Sequence, residues 1–407
     1  MIPRRVLVVM AVGCGLSVAN LYYGQPLLVE MARDLGIPGP RMGVVATLAQ
    51  VGYALGILLL VPLGDRLERR GFIVVLLGAV TVALAAVAAS PGFAWLAVAS
   101  LVMGITTVVP QLIVPYAAGL AAPEERGRAV GTVMSGLLVG ILVARTVGGF
   151  VGTRLGWRAM YAIAAALMVG LAAVVRAVLP RSTPSTSGIT YAGLLRSLVG
   201  LVRDEPVLRQ SCLFGSLAFA AFSAFWTTLA LLLAGPPYGY RGDVVGLFGL
   251  VGAVGALAAP AVGRVADRRS PRTTIGFGLA AMLLSFVVFG AVGTKLWGLV
   301  AGVLLLDVGV QGSHISNQSR IFRLQAGAHS RLNTVYMVAY FVGGAIGSAA
   351  GTYAWGLGGW GGVCLVGAGF LIAALVGFAA TAERTPARHE PAADARPGER
   401  TGRPARP

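Results

Sequence analysis

The chain has 407 residues, 57% of them hydrophobic and only 12% charged, where soluble domains carry about 25% charged residues. That balance excludes an ordinary water-soluble fold, and the 58 glycines suit close-packed transmembrane helices. The net charge of +17 does not point to nucleic acid, because the arginines alternate with apolar stretches of membrane length rather than forming a basic patch.

In chain order, Met1-Ile-Pro-Arg-Arg5 leads into an apolar run too long for a signal-peptide core, so an uncleaved first span is expected. The first half then gives spans at 6–32, 42–63, 72–92, 94–120, 128–153 and 158–179. A polar connection beginning Pro-Arg-Ser-Thr-Pro-Ser-Thr-Ser follows, and within it 190–204 has the spacing of an amphipathic helix lying on the inner leaflet. The second half gives spans at 208–234, 244–263, 273–293, 296–320, 332–354 and 360–381. Each is long enough for a hydrocarbon core of roughly 30 Å. The Pro/Arg/Glu-rich tail beyond has almost no apolar content and reads as disordered.

This reading makes the chain an all-α membrane protein of twelve transmembrane helices. Its expected units are 1–180 and 208–382, two bundles of six, with a cytoplasmic linker at 181–207 and a basic cytoplasmic tail at 383–407. Of the basic residues, Arg33, Arg41, Arg154, Arg158, Arg241 and Lys295 fall on one side and Arg145 lies within a span; all others fall on the side of the termini. The positive-inside rule therefore puts both termini in the cytoplasm. Cys14, Cys212 and Cys364 sit in apolar spans without metal-ligand spacing and read as packing residues.

The two halves repeat. Val61-Pro-Leu-Gly-Asp65-Arg66-Leu-Glu68-Arg69-Arg70 is echoed by Val262-Gly263-Arg-Val-Ala-Asp267-Arg268-Arg-Ser-Pro-Arg272. Gly156-Trp157 matches Gly359-Trp360, and Arg128 with Thr132 matches Arg331 with Thr334. Repeats of about 200 residues with several apolar spans each are how many secondary transporters are built, so membrane transport is the expected activity. An enzyme is not supported. There is no phosphate-binding loop, Lys295 being the sole lysine, and no residue cluster suits a metal or a nucleophile–base pair.

Span 10 carries a polar stripe. Asp307, Gln311, His314 and Gln318 fall within about 60° of one helical face. Counting along the helix, Asp307 lies about 18 Å from Lys295 and about 20 Å from Arg320, near the middle of the bilayer. A carboxylate there costs roughly 2.5–3.5 kcal/mol on insertion scales and must face the protein interior. Three roles stay open for it: a proton carrier, a structural or gating ion pair, and a substrate contact. Arg145, about 26 Å along span 5 from Arg128, is the expected partner across the halves. His314, whose ordinary titration lies nearest neutral pH, is a candidate to share the proton. Other polar and aromatic residues suggest a mostly neutral cavity: Asn20, Tyr23 and Gln25 on span 1, Thr107 and Gln111 on span 4, Ser223, Trp226 and Thr227 on span 7, and Asn333, Tyr336 and Tyr340 on span 11. Each of these also suits hydrogen bonding between helices.

The loops after spans 2 and 8 resemble the signature loop of the major facilitator superfamily, Gly-x-x-x-Asp-Arg-x-Gly-Arg-Arg. The second copy matches at Gly263, Asp267, Arg268 and Arg272; the first matches at Asp65, Arg66, Arg69 and Arg70, with Val61 and Glu68 at the glycine positions. Such a loop implies a clamp between cytoplasmic helix ends. Gly131, Gly140, Ala144-Arg145, Gly148 and Gly149 resemble the motif of proton-coupled exporters in that superfamily, with Ala144-Arg145 where it has Gly-Pro. The resemblance covers nearly all of 1–381. It implies a V-shaped pair of six-helix bundles with spans 1, 4, 7 and 10 around a central cavity. The function expected from all this is export of a drug-like or metabolite small molecule by proton antiport with alternating access, in the inner membrane of a bacterium. The protein is expected to be a monomer in the lipid bilayer, with no cofactor beyond the proton gradient and no nucleic-acid partner. A uniporter, an uptake symporter and a transport-dead sensor or scaffold are the alternatives.

Overall fold

A computed structural model describes residues 2–182, 190–252, 254, 270–325 and 328–381, which are helical and contain no strand. In the first half, α1 (Arg4–Ala19) runs through a 3-10 turn, Gln25–Leu27, into the short α2 (Leu28–Asp34). Then come α3 (Gly43–Leu60), α4 (Arg69–Ala88), α5 (Phe93–Thr106), α6 (Val109–Leu120), α7 (Arg126–Leu155) and α8 (Trp157–Val178). The connecting helix is α9 (Tyr191–Asp204). The second half has α10 (Pro206–Ala234), α11 (Gly242–Gly252), α12 (Pro271–Val292), α13 (Leu296–Ile321) and α14 (His329–Ala380).

Among the described residues nine helical segments are long and apolar enough to cross a membrane. One of them, α14, is two helices folded at Gly358–Gly359, and another joins α5 and α6. Thr107–Val108 interrupts that last span just ahead of Pro110, which has no N–H to donate. Span 1 is completed by α1, the 3-10 turn and α2, and span 8 is described only as α11. The described helices are thus consistent with twelve spans.

The repeated Gly-Trp pair marks the same turn in each half. Gly156 has φ +89° and Gly359 has φ +54°, values that favour glycine, and each lets one long helix reverse directly into the next. The tryptophan then ties the turn to its own half: Trp157 Nε1 donates to Asp34 Oδ2 at 3.1 Å and Trp360 Nε1 to the Phe289 carbonyl at 3.0 Å. The halves also share a seam of small residues. Gly136 and Gly140 of α7 press on Ala11 and Gly15 of α1, and Gly343 and Gly347 of α14 press on Ser216 and Ala220 of α10. In lipid, where apolar burial gives no advantage over the acyl chains, such close backbone packing is a main source of helix association.

The ends of the helices define two faces, one carrying the chain termini and one opposite. Packing between the halves concentrates on the opposite face, where α3 lies along α14, and α2 and the Gln25–Leu27 turn lie against α10. This contact runs from Gly43 against Thr352 to the edge-on pair Tyr53–Phe341 near mid-helix, with ring centroids 4.4 Å apart. On the terminal face α9 bridges the halves. Its Leu194, Leu198 and Leu201 are buried, it packs on α10 and α14, and Tyr191 donates to the Leu59 carbonyl at 2.9 Å.

Candidate functional site

Arg145 is the largest fully buried side chain in the first half and sits on the seam between the halves. Nε donates to Gln25 Oε1 at 2.7 Å. The guanidinium lies over the Trp226 ring, with Cζ 3.9 Å from the centroid, and over Tyr22 at 4.8 Å. Tyr22 and Gln25 come from the turn after α1, whereas Trp226 comes from α10, so one cation is held by both halves. Nη2 has no hydrogen-bond partner although it is shielded from solvent.

Asp307 lies on α13, 2% exposed, and its Oδ2 also lacks a partner. The expected direct ion pair with Arg145 is not formed in this state, where the Trp226 indole lies close to both groups. A Cβ placed on Gly252 of α11 would stand 3.1 Å from Asp307 Oδ2 and 3.2 Å from Trp226 Cζ2. The same face of α11 brings Gly249 to the Arg145 side chain and Gly246 to the backbone of α7, where Thr146 Oγ1 donates to the Gly246 carbonyl at 2.9 Å. Trp226 Nε1 is a third buried polar atom without a partner. Three such atoms in one place call for an explanation, because buried polar groups nearly always find partners.

Most of the remaining candidates bond or stack between helices. His314 Nδ1 and the Tyr336 hydroxyl are 3.0 Å apart, the His314 ring is 4.6 Å from that of Tyr340, and Tyr340 stacks on Phe219 at 4.0 Å. Gln318 Nε2 donates to Asn333 Oδ1 at 3.1 Å, and Gln311 is half-buried on the same stripe. Gln111 Nε2 donates to the Tyr53 hydroxyl at 3.3 Å. Ser223 donates to Gln50 Oε1 at 3.3 Å across the halves, while Thr227 bonds Ser348 at 3.0 Å between α10 and α14. Two candidates point elsewhere. Asn20 points its amide at Met168 of α8, at 3.5 Å, and the Thr107 hydroxyl bonds the Met103 carbonyl of its own helix at 2.7 Å. Tyr23 is buried with its backbone against Gly148.

Gln50 and Tyr53 were not among the residues expected from the sequence, yet both sit where α3 meets the second half. The signal was present: Gln50 is the one amide in a mainly apolar α3.

At the start of α4, Arg69 Nη1 donates to the Pro115 carbonyl of α6 and Arg70 Nη1 to the Arg176 and Leu179 carbonyls at the end of α8, each at 3.3 Å. Arg66 is exposed. Glu68, at a position where the signature loop has glycine, instead caps α4. Its carboxylate accepts from the backbone N–H groups of Arg70, Gly71 and Ser182 at 2.9, 2.8 and 3.1 Å. Burial alone pushes the Glu68 carboxyl up, but those three donors outweigh it and hold the carboxyl below its ordinary value. These bonds tie the first half and the linker together. In the second copy, Arg272 Nη2 donates to the Phe378 carbonyl at 2.5 Å. Asp267 and Arg268 lie outside the described residues, as does the Asp65 side chain. On the opposite face Asp34 accepts from Arg158 and Trp157, and those bonds hold its carboxyl below the usual range.

Residues 7–324 match the Major Facilitator Superfamily. The chain is 43% identical over 362 residues to a protein named uncharacterized transporter YgaY from Escherichia coli O157:H7, covering 89% of this chain and 92% of that one. It is 38% identical over 386 residues to the probable transporter SCO4007 of Streptomyces coelicolor, covering 95% and 88%. Among solved structures, a mutant form of the nucleoside transporter NupG superposes with a TM-score of 0.73 at 15% identity, over 92% of this chain and 99% of that one. The human organic anion transporter MFSD10 superposes with a TM-score of 0.70 at 19% identity over the same shares. At such identities the superpositions speak for the shared fold alone, while the sequence matches carry the relationship. With its twice-written loop, its two helical halves and a polar seam buried between them, this chain belongs to the Major Facilitator Superfamily and is a multi-pass membrane transporter.

Proposed function

We propose that the protein exports a small neutral or amphipathic molecule by proton antiport, with Asp307 carrying the proton. The observation behind this reading is the pair of buried, partnerless groups on opposite halves: Asp307 Oδ2 on α13 and Arg145 Nη2 on α7. A group that crosses between ionised and neutral forms at a joint between moving bodies couples protonation to their movement. Substrate enters between Gln111, Gln311, His314 and Tyr340 from the terminal face, which the arginine distribution makes cytoplasmic. Its binding displaces the proton from Asp307. Rocking of the halves then parts Trp226 from Arg145 and opens the opposite face, where a fresh proton on Asp307 releases the substrate. The chain acts as a monomer in a bacterial inner membrane and needs only the proton gradient.

One observation favours a second reading, a uniporter or uptake symporter. The exporter-like segment of α7 carries Arg145 where the exporter motif has proline, and α7 runs as one helix over Arg126–Leu155. Inside-out vesicles holding a proton gradient separate the two. A panel of dyes, sugars, nucleosides and amino acids should include compounds that provoke proton leak, and Asp307→Asn should abolish that leak. Substrate flux that ignores the gradient in both proteins would sink antiport and favour the uniporter.

A further inference from the structure

A cleft of about 370 Å3 opens on the opposite face, over the Arg145 layer. Pro26 in its wall follows Gln25, the Arg145 partner, and Val245 precedes Gly246, which touches the Arg145 backbone. The two halves contribute complementary chemistry. Glu30 and Arg33 come from α2 and Thr153 from α7, whereas Tyr240 and Arg241 lead into α11 and Gly242 begins it. Glu30 Oε1 accepts from Thr153 Oγ1 at 2.9 Å, and Arg241 Nη2 reaches the Thr153 carbonyl at 3.4 Å. Among the described residues neither arginine forms an ion pair with Glu30. Gly242 permits this approach, since a Cβ there would stand 2.9 Å from Glu30 Oε1 and 3.0 Å from Thr153 Oγ1.

We propose that this cleft is a second binding site, for a small zwitterion of amino-acid size with a flat side chain. The carboxylate bridges Arg33 of one half and Arg241 of the other. The ammonium meets Glu30, and the side chain lies on Tyr240 and Val245. The volume falls in the range of ligand pockets, roughly 300–1,000 Å3. Two guanidinium groups against one carboxylate leave a surplus positive charge for the ligand carboxylate, and forked guanidinium donors suit that group. Because the occupant joins both halves, it holds this face shut and acts from the side opposite the transport cavity.

The test is calorimetric titration of the full chain in lipid nanodiscs with L-phenylalanine, L-phenylalaninamide and 3-phenylpropionate. L-Phenylalanine should bind saturably, and the amide, which lacks the carboxylate, should bind at least about tenfold more weakly. Arg33→Ala and Arg241→Ala should each weaken L-phenylalanine by about tenfold; both side chains are exposed, so neither change disturbs the core. Glu30→Gln should weaken L-phenylalanine but not 3-phenylpropionate, which has no ammonium and is repelled by the Glu30 carboxylate. Binding is read without flux or a proton gradient, which keeps this result separate from the fate of the antiport reading. Absence of saturable binding at millimolar concentration overturns the proposal. So does equal affinity in the Arg33→Ala/Arg241→Ala double variant, which would put the ligand elsewhere in the protein.

Discussion

The Arg145 guanidinium lies 3.9 Å from the centre of the Trp226 indole, joining α7 of the first half to α10 of the second. A desolvated cation on an indole face is stabilised by about 2 kcal/mol, and here the Tyr22 ring centroid also lies 4.8 Å from the guanidinium carbon. The pair therefore serves as a strut in the state closed on the opposite face. It also leaves Nη2 of the arginine unbonded, as Oδ2 of Asp307 is on the other half. A joint that is stable yet incompletely satisfied has somewhere to go when protonation changes.

Removing the strut should therefore impair the cycle rather than the fold. Arg145→Ala should lower transport at least about tenfold, and Arg145→Lys should not restore it, because an ammonium lacks the flat, stacking guanidinium. Trp226→Phe should retain more activity than Trp226→Ala. Full activity in Arg145→Ala, measured as substrate flux in proteoliposomes, would show that the pair is dispensable.

Asp307→Asn removes the titrating group and keeps a side chain of the same shape. Substrate counterflow, which needs no net proton movement, should persist within about threefold, while uphill flux driven by a pH gradient should fall by about two orders of magnitude. Parallel loss of both activities would instead assign Asp307 to substrate binding.

Gly252 has little room for a side chain beside Asp307 and Trp226. Gly252→Val should push α11 off the seam and favour the form open on the opposite face. A cysteine introduced at Thr153, in the outer cleft, should then react with a membrane-impermeant maleimide several-fold faster than in the parent. Unchanged labelling would show that α11 tolerates the bulk without moving.

Glu68 caps α4 and pins Ser182 of the linker. Its carboxyl is held below its ordinary value near 4.5, so its contribution is present above that pH and fades as pH falls through the lower folded-state value. Glu68→Gln should cost about 1 kcal/mol at neutral pH, the usual worth of a helix cap. The difference in thermal midpoint should shrink toward zero on acidification below pH 4.5. A difference that stays constant with pH would mean that the cap is not ionised.

The turn glycines show how a repeat becomes legible. Gly156-Trp157 and Gly359-Trp360 stood out in the sequence only as matching dipeptides. The structure supplies the reason, a positive φ that reverses one helix into the next and an indole N–H that pins the turn. Glu68 is the opposite case. At that position it departs from the signature loop, and only the fold reveals the three backbone donors it satisfies.

Apolar length, the alternation of arginines and the duplicated loop were enough to specify a helical membrane transporter of two related halves. Those features follow from the bilayer, which admits only segments that satisfy their own backbone and are long enough to cross. The helical period likewise placed Asp307 and His314 on one inward face. Partner choice was a different matter. Asp307 and Arg145 lie at similar depth, so a direct pair was the simplest expectation. In the structure the Arg145 guanidinium instead lies over Trp226 of a third helix, and Gly252 of α11 comes close to Asp307. Contacts of that kind depend on how helices far apart in sequence rotate and cross, which no periodicity within a single helix encodes.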